Sequence, residues 1–327
     1  MGVEKEKKQD NLLITVLILS YCSPDLYAAI NSVLKQDYAY IQCILVDDGT
    51  PDFSKDDVQA YIESHRNSNI DDYIVIQNLE NYGTVRSVNI GLNHFKGNYL
   101  FILAGDDVFS DSSVLREWTD AFQENKSLVM TAYRDVYDKT LTHYLGRMPT
   151  ESQVQKIRNL TSSELFEEIA KENFIFGCCT AFSRYYFEQY GYYNERYRLI
   201  EDHSMILRLL RQGVTIAFFD KTVVYYRGGG SSSAIRYNKD YERDMDLIYE
   251  FEVIPYVKNK KHIQKVHRKW KAKQRLAQDF NIRLSRTKKN PFHVLFLRVW
   301  FHAHYPIASL RGLLANPAKL KKMFRNI

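Results

Sequence analysis

Residues 41–50 read Ile-Gln-Cys-Ile-Leu-Val-Asp-Asp-Gly-Thr, an apolar run of strand length that stops at two carboxylates and a turn. Before it, residues 12–19 (LLITVLIL) are apolar without a break, as in a parallel strand buried on both faces. Between the two runs, residues 26–34 carry apolar side chains at helical spacing. Ser20-Tyr21-Cys22-Ser23-Pro24 leads into them, with Ser23 expected as N-cap and Pro24 at the first helical position. Towards the C-terminus the pattern predicts a helix over 56–65, a strand over 73–77 and a helix over 85–95. Gly97-Asn98 then turns the chain into a fourth apolar run, 99–103, which ends at Ala104-Gly105-Asp106-Asp107. Strands alternating with helices predict an α/β fold.

The second half is less regular. A short amphipathic helix is expected over 162–170 and another over 185–190, with an apolar stretch, 174–183, around Gly177. Glu201-Asp202 opens a stronger helix, with Met205, Ile206, Leu209 and Leu210 on one face and Gly213 as its stop. Residues 214–219 and 223–226 read as two strands, followed by a glycine–serine run at 228–233. From 238 to about 286 the chain reads as helical, and from Pro291 it is basic, aromatic and amphipathic.

The 327 residues are 45% hydrophobic and 26% charged, ordinary for a globular protein. The first ten residues lack the apolar core of a secretory signal, and no apolar run reaches the 18 or so residues of a membrane span. Cys22, Cys43, Cys178 and Cys179 have neither metal-site spacing nor a disulfide framework, and Cys178 and Cys179 read as packing residues. The expectation is a cytoplasmic protein. Its net charge of +6 is unevenly spread: residues 258–327 hold 19 Lys and Arg against one acid, Asp279, so residues 1–257 carry about −12. The basic segment is interleaved with Trp270, Phe292, Phe296, Trp300, Phe301 and Tyr305. That mixture suits peripheral association with an anionic membrane, where each basic residue contributes about 1 kcal/mol. Nucleic-acid binding is the less favoured use of the same charge.

Ligands of open α/β sheets bind beyond the carboxyl ends of the strands. Here two strands end in acidic pairs, Asp47-Asp48 and Asp106-Asp107, which would repel unless a cation or donor groups met them. This predicts a ligand rich in hydroxyls together with a divalent metal. No GxGxxG loop and no GK[ST] phosphate loop is present.

Over residues 14–227 these signals together resemble the family 2 glycosyltransferases. Val46-Asp47-Asp48-Gly49-Thr50 resembles the family's VDDGS motif, and Asn81-Tyr82-Gly83 with Asn89 and Gly91 its N-x-G segment. Leu103 to Asp107 stands in the place of its DxD-type motif, and Glu201-Asp202, followed by Arg208 and Gly213, resembles its ED motif. The resemblance implies a GT-A fold over residues 1–235, followed by a helical, basic extension over 236–327. It implies an inverting transfer of sugar from a nucleotide donor, UDP-sugar favoured, to a lipid-linked or polysaccharide acceptor, with Mn²⁺ or Mg²⁺. Ser20, Tyr21, Asp47, Asp48, Asn81 and Gly83 would serve the nucleoside, and Asp106 or Asp107 the metal. Asp202 would be the base, with Glu201 orienting it or the acceptor. Tyr21 can equally fill the core, and Asn81-Gly83 can equally be a simple turn. His203 reads as a helix-surface neighbour of the site. Two departures stand out: Ala104 replaces the first acid of DxDD, and no histidine follows the last core strand. Arg227 and the glycine–serine loop are expected to serve the diphosphate instead. A dTDP-sugar donor and a catalytically impaired sugar-nucleotide binder are the alternatives.

Overall fold

The computed structural model describes residues 12–228 and 238–287. The N-terminal segment, the glycine–serine run from Gly229 and the aromatic tail from Pro291 lie outside them. The first half follows the expected alternation closely: β1 (Ile14–Ser20), α1 (Leu26–Leu34), β2 (Ile41–Asp47), α2 (Lys55–His65), β3 (Ile70–Gln77), α3 (Thr84–Leu92) and β4 (Tyr99–Ala104). Next come β5 (Val108–Phe109), α4 (Val114–Asn125), β6 (Val129–Tyr137), β7 (Tyr144–Met148), α5 (Glu151–Asn159) and α6 (Ser162–Ile169). A 3₁₀ turn at Gly177–Cys179 leads to β8 (Thr180–Ser183), α7 (Arg184–Tyr190), α8 (Glu201–Arg211) and β9 (Ile216–Arg227). Two helices follow, α9 (Lys239–Ile248), extended by a π-helical turn (Tyr249–Val253), and α10 (Lys260–Thr287).

The strands form one sheet in the order β3-β2-β1-β4-β8-β6-β9-β5, with β7 on β6. β1 is parallel to both β2 and β4, and β2 to β3, so four strands end on one edge. Beyond them β8 runs antiparallel to β4 and β6. Each face of the sheet buries its own apolar layer. On one face Val16, Ile18 and Leu45 pack with α1, α2 and α4; on the other Leu17, Ile44 and Val46 pack with α3, α6 and α8. The second layer also takes in Ile248, Val253, Val257 and Ile263, so the helices after residue 238 are packed on the body.

Three expectations are corrected. Ser23 does not cap α1: its Oγ donates to Gly105 O (2.8 Å), and the helix starts after a turn, at Leu26. The two strands expected over 214–226 are one, β9, whose pairing with β6 shifts register around Tyr133 and so absorbs polar Asp220-Lys221. The helix expected from 238 to 286 is broken between Val253 and Lys260, where Pro255 removes a backbone donor.

α9 is fastened by one side chain. Asp244 is fully buried, and its Oδ2 accepts the backbone N–H groups of Arg198 (2.7 Å), Leu199 (2.6 Å) and Ile200 (3.2 Å). Asp244→Ala leaves those donors without an acceptor, at a cost of about 3 kcal/mol. The expected outcome is a clear fall in the urea midpoint. Asp246→Ala, which breaks only partly exposed pairs with His267 and Lys271, should cost under about 1 kcal/mol. Equal losses for the two variants would refute the fastening role.

Candidate active site

The site begins where β1 ends. Ser20 pairs with Asp47 of β2, and the preceding Leu19 pairs with Ala104 of β4. Asp48 N donates to Ser20 O (2.7 Å) and Gly105 N to Leu19 O (2.7 Å), so the two acidic pairs lie on either side of one strand end.

The two pairs have different surroundings. Asp47 is fully buried and accepts Thr50 N (2.8 Å) and Thr50 Oγ1 (2.6 Å); Thr50 Oγ1 in turn accepts Cys22 N (2.7 Å). Asp48 accepts Asn78 Nδ2 (3.0 Å), Tyr82 N (2.8 Å) and Ser87 Oγ (2.8 Å) on Oδ1, and Gly83 N (2.8 Å) on Oδ2. These carboxylates hold loop backbone in place. Gly49 (φ +76°) and Gly83 (φ +91°) are required there: a Cβ would stand 2.4 Å from the Glu80 carbonyl carbon and 2.6 Å from Arg198 O, respectively. Asn81 is bound through its O (2.8 Å) and Oδ1 (2.7 Å) by Arg198 Nη2. Tyr21 is half exposed, which leaves a ring face open beside this loop and excludes a core-filling role.

Asp106 and Asp107 are far less satisfied. Asp107 Oδ1 accepts Arg227 N (2.9 Å), but its Oδ2 is buried without a partner. Burial pushes the Asp107 carboxyl well above the usual carboxylate range, with neighbouring Asp106 among the further causes, and burial also raises Asp106. The Arg227 guanidinium is buried beside them, 3.4 Å from Asp25 Oδ1 and donating to Lys139 O (3.1 Å).

Glu201 and Asp202, in the first turn of α8, line the same cavity of about 570 Å³ as Asp106 and Asp107. Asp202 is aimed by two bonds, Gly177 N to Oδ2 (3.2 Å) and His203 N to Oδ1 (2.6 Å). A Cβ at Gly177 would stand 2.8 Å from Glu201 Oε1, so a larger residue there would displace that carboxyl. Burial, and then the charge of Asp202, push the Glu201 carboxyl well up. Burial therefore disfavours the charged form of Glu201. His203 is not at the helix surface as expected: it is buried, with Nε2 3.1 Å from Ile169 O, and burial lowers its pKa.

Two parts of the cavity escape the motif reading. Arg134, on β6, projects into it from a segment to which sequence pattern assigned no element. Its signal was a lone cation directly after the largely apolar run Val129–Tyr133. The far wall comes from α9 and α10: Tyr241, Met245, Tyr249, His267 and Trp270. The Tyr249 and His267 rings stack at 3.9 Å, and those of His267 and Trp270 at 5.6 Å.

Among the described residues no group of three metal-ligating side chains occurs. The orphaned Asp107 Oδ2 beside Asp106 nevertheless suits a divalent cation of the Mg²⁺ or Mn²⁺ kind, which takes one or two carboxylates and completes its shell with water and substrate phosphate. Among the described residues no helix is long and apolar enough to cross a membrane.

Comparison with known proteins gives the family and the fold. The chain is 24% identical over 251 residues, 76% of its length and 75% of the relative's, to an uncharacterized glycosyltransferase of Haemophilus influenzae. It is 23% identical to the minor teichoic acid biosynthesis protein GgaB of Bacillus subtilis, over 73% of this chain but 25% of that one. Among solved structures it resembles S. aureus TarS (TM-score 0.57, 16% identity), covering 88% of this chain and half of that one. TarS residues 1–349 in complex with UDP-GlcNAc match with a TM-score of 0.57, 18% identity and coverage of 95% and 88%. The mannosyltransferase PcManGT of Pyrobaculum calidifontis, in complex with GDP-Man and Mn²⁺, matches with a TM-score of 0.56, 14% identity and coverage of 94% and 86%. The family model for glycosyl transferase family 2 matches residues 15–191, more than half of the chain. The protein belongs to glycosyl transferase family 2, and its mixed sheet with helices on both faces is the GT-A fold.

Proposed function

We propose that this glycosyltransferase transfers a sugar with inversion from a UDP-sugar to a lipid-linked or polysaccharide acceptor of the cell surface. The observation that carries the reading is the shared cavity, which both Asp106-Asp107 and Glu201-Asp202 line. In this reading the uracil stacks on Tyr21, beside the loop that Asp48 holds, and Asn81 and Gly83 shape its pocket. Asp47 acts through Thr50, fixing the turn that carries Tyr21. Asp106, Asp107 and Arg227 attend the diphosphate. A divalent cation held there would stabilise the negative charge on the departing group as a Lewis acid. Asp202 takes the proton of the acceptor hydroxyl on the opposite face of the sugar. Glu201, which keeps its own proton, donates a hydrogen bond to the acceptor. Residues 1–235 form the catalytic domain, and the helices after it close the acceptor side. TarS complexes with UDP and UDP-GlcNAc favour the uridine donor, and GgaB, a teichoic acid biosynthesis protein, favours a surface-polymer acceptor. Ala104, in place of an acid, favours the rival reading of a catalytically impaired binder. Turnover separates the two.

The outer side of α10 supports membrane attachment on the cytoplasmic face. Lys260, Lys261, Lys265, Arg268 and Lys269 are exposed, whereas Ile263 on the opposite side is buried in the core.

Three outcomes are expected. Calorimetry should show UDP binding at least tenfold tighter with Mn²⁺ than with chelator, and Asp107→Asn should remove the difference; tighter binding of GDP or dTDP would replace the uridine assignment. Asp202→Asn should lower kcat by a factor of about 10² to 10⁴ with donor affinity unchanged. Glu201→Gln, which keeps a neutral hydrogen-bonding side chain, should retain far more turnover than that. Changing the five exposed basic residues of α10 to Gln should reduce sedimentation with phosphatidylserine vesicles at low salt. Undiminished sedimentation would move the membrane contact to another surface.

A further inference from the structure

The Arg134 guanidinium is clamped between two rings, with Cζ 3.7 Å from the centroid of Phe176 and 4.1 Å from that of Tyr226. Both faces are covered, so only its planar N–H edge can bind anything further. Along that edge Nη1 meets Cys178 Sγ at 3.5 Å, a weak acceptor, and Nε is buried with no partner. Other enclosed arginines of this chain bond to oxygen: Arg184 to Gly97 O (2.8 Å) and Phe95 O (2.9 Å), Arg211 to Glu252 Oε2 (2.7 Å). Arg134 has no oxygen partner among the described residues.

A guanidinium does not shed its charge at any ordinary pH. Enclosing one without a hydrogen-bonded counter-ion is costly, and the aromatic clamp and the attraction of the nearby Asp107 carboxyl offset only part of that cost. A merely structural arginine would be expected to find carbonyl oxygens. Arg134 instead presents a preset fork to the reaction cavity. Its place there is also informative. β6 sets Arg134 opposite Val224 of β9, two residues before Tyr226 and three before Arg227, whose N–H bonds Asp107. Cys178 on its other side follows Gly177, whose N–H aims Asp202. The fork therefore lines the same cavity as both acidic pairs and is close enough to Asp107 to act on its charge.

We propose that Arg134 is the oxyanion-binding residue of this cavity, taking two oxygens of one phosphate or carboxylate group of the nucleotide-sugar donor in its fork. The proposal rests on the donor reading above. It deepens it by naming a specificity-determining residue outside the acidic motifs. Two donor groups share the required chemistry: the β-phosphate, and a carboxylate on the sugar itself as in a hexuronate.

The test compares wild type, Arg134→Lys and Arg134→Gln by calorimetry with Mn²⁺ present, using UMP, UDP, UDP-glucose and UDP-glucuronate. If the fork takes the β-phosphate, Arg134→Gln weakens UDP at least tenfold and leaves UMP unchanged. If it takes a sugar carboxylate, wild type prefers UDP-glucuronate to UDP-glucose and Arg134→Gln abolishes that preference, with UDP unaffected. In either case Arg134→Lys, which keeps the charge and loses the fork, falls between. Arg134→Lys also serves as the informative variant should the Gln variant fail to fold, as judged by its thermal transition. Folded variants that bind all four ligands as wild type does would overturn the proposal. Failure of the wild type itself to bind uridine nucleotides would count against the donor base instead; the same monophosphate–diphosphate comparison with the base that does bind then decides Arg134.

Discussion

The buried carboxylate of Asp244 is the contact on which the catalytic end of the molecule depends. α8 starts after Ile200, which has no side-chain acceptor to offer its first turn. The stretch before it is held from another helix, by three backbone N–H bonds to one oxygen of Asp244. That stretch includes Arg198, which binds Asn81, and the loop after Asn81 is held by Asp48 at the end of β2. A continuous path of hydrogen bonds thus joins β2, the 81–83 loop, residues 198–200 and α9. Such networks stiffen a site because each member is fixed by the next. Glu252 of the π-helical turn adds a second tie, pairing with Arg211 at the other end of α8 and accepting from Tyr197. The helices after residue 238 are accordingly part of what sets the direction of Glu201 and Asp202.

The two Asp-Asp pairs show how the same residues at the same kind of strand end acquire different chemistry. Around Asp47-Asp48, six hydrogen bonds from Thr50, Asn78, Tyr82, Gly83 and Ser87 absorb the charge. Around Asp106-Asp107, donors are scarce and one buried oxygen has none, so burial raises both carboxyls. The first arrangement is finished without a ligand. The second is stabilised by any cation that enters, because a bound charge reverses the penalty that burial imposes on the carboxylates.

The sequence pattern revealed β1, β2 and β4 because parallel strands buried on both faces are largely apolar, as residues 16–19, 43–46 and 100–104 are. No element was assigned to residues 108–161. There β7 is largely exposed and α5 has only Val154 and Ile157 buried, so periodicity is weak in those two elements, whereas α4, which buries Val114, Leu115, Trp118 and Phe122, carries a helical pattern that was legible. Nor could it separate the two acidic pairs, since that difference lies in donors up to 39 residues away. Glu201-Asp202 was legible as a helix start, but Gly177, which bonds Asp202, and Asp244, which bonds the preceding Ile200, are contributed by distant segments. Arg134 was missed for a related reason: its meaning comes from the two rings that clamp it, one of them on β9.

Ala104 and the lack of a histidine after β9 can be considered together with Arg227. A third carboxylate at 104 would add negative charge to a cavity that already has five acidic residues and one enclosed arginine in its lining. Arg227 supplies a fixed positive charge beside Asp106-Asp107 from the other side. It is held by Asp25 and by the carbonyl of Lys139, and its own N–H holds Asp107. A cation anchored at three points needs no rearrangement when negative charge develops nearby, which is the condition under which a fixed charge contributes most to a transition state. In the proposed reaction that charge would act on the departing diphosphate from behind Asp106-Asp107. Fewer protein ligands to a metal are then needed than in a site that relies on the metal alone.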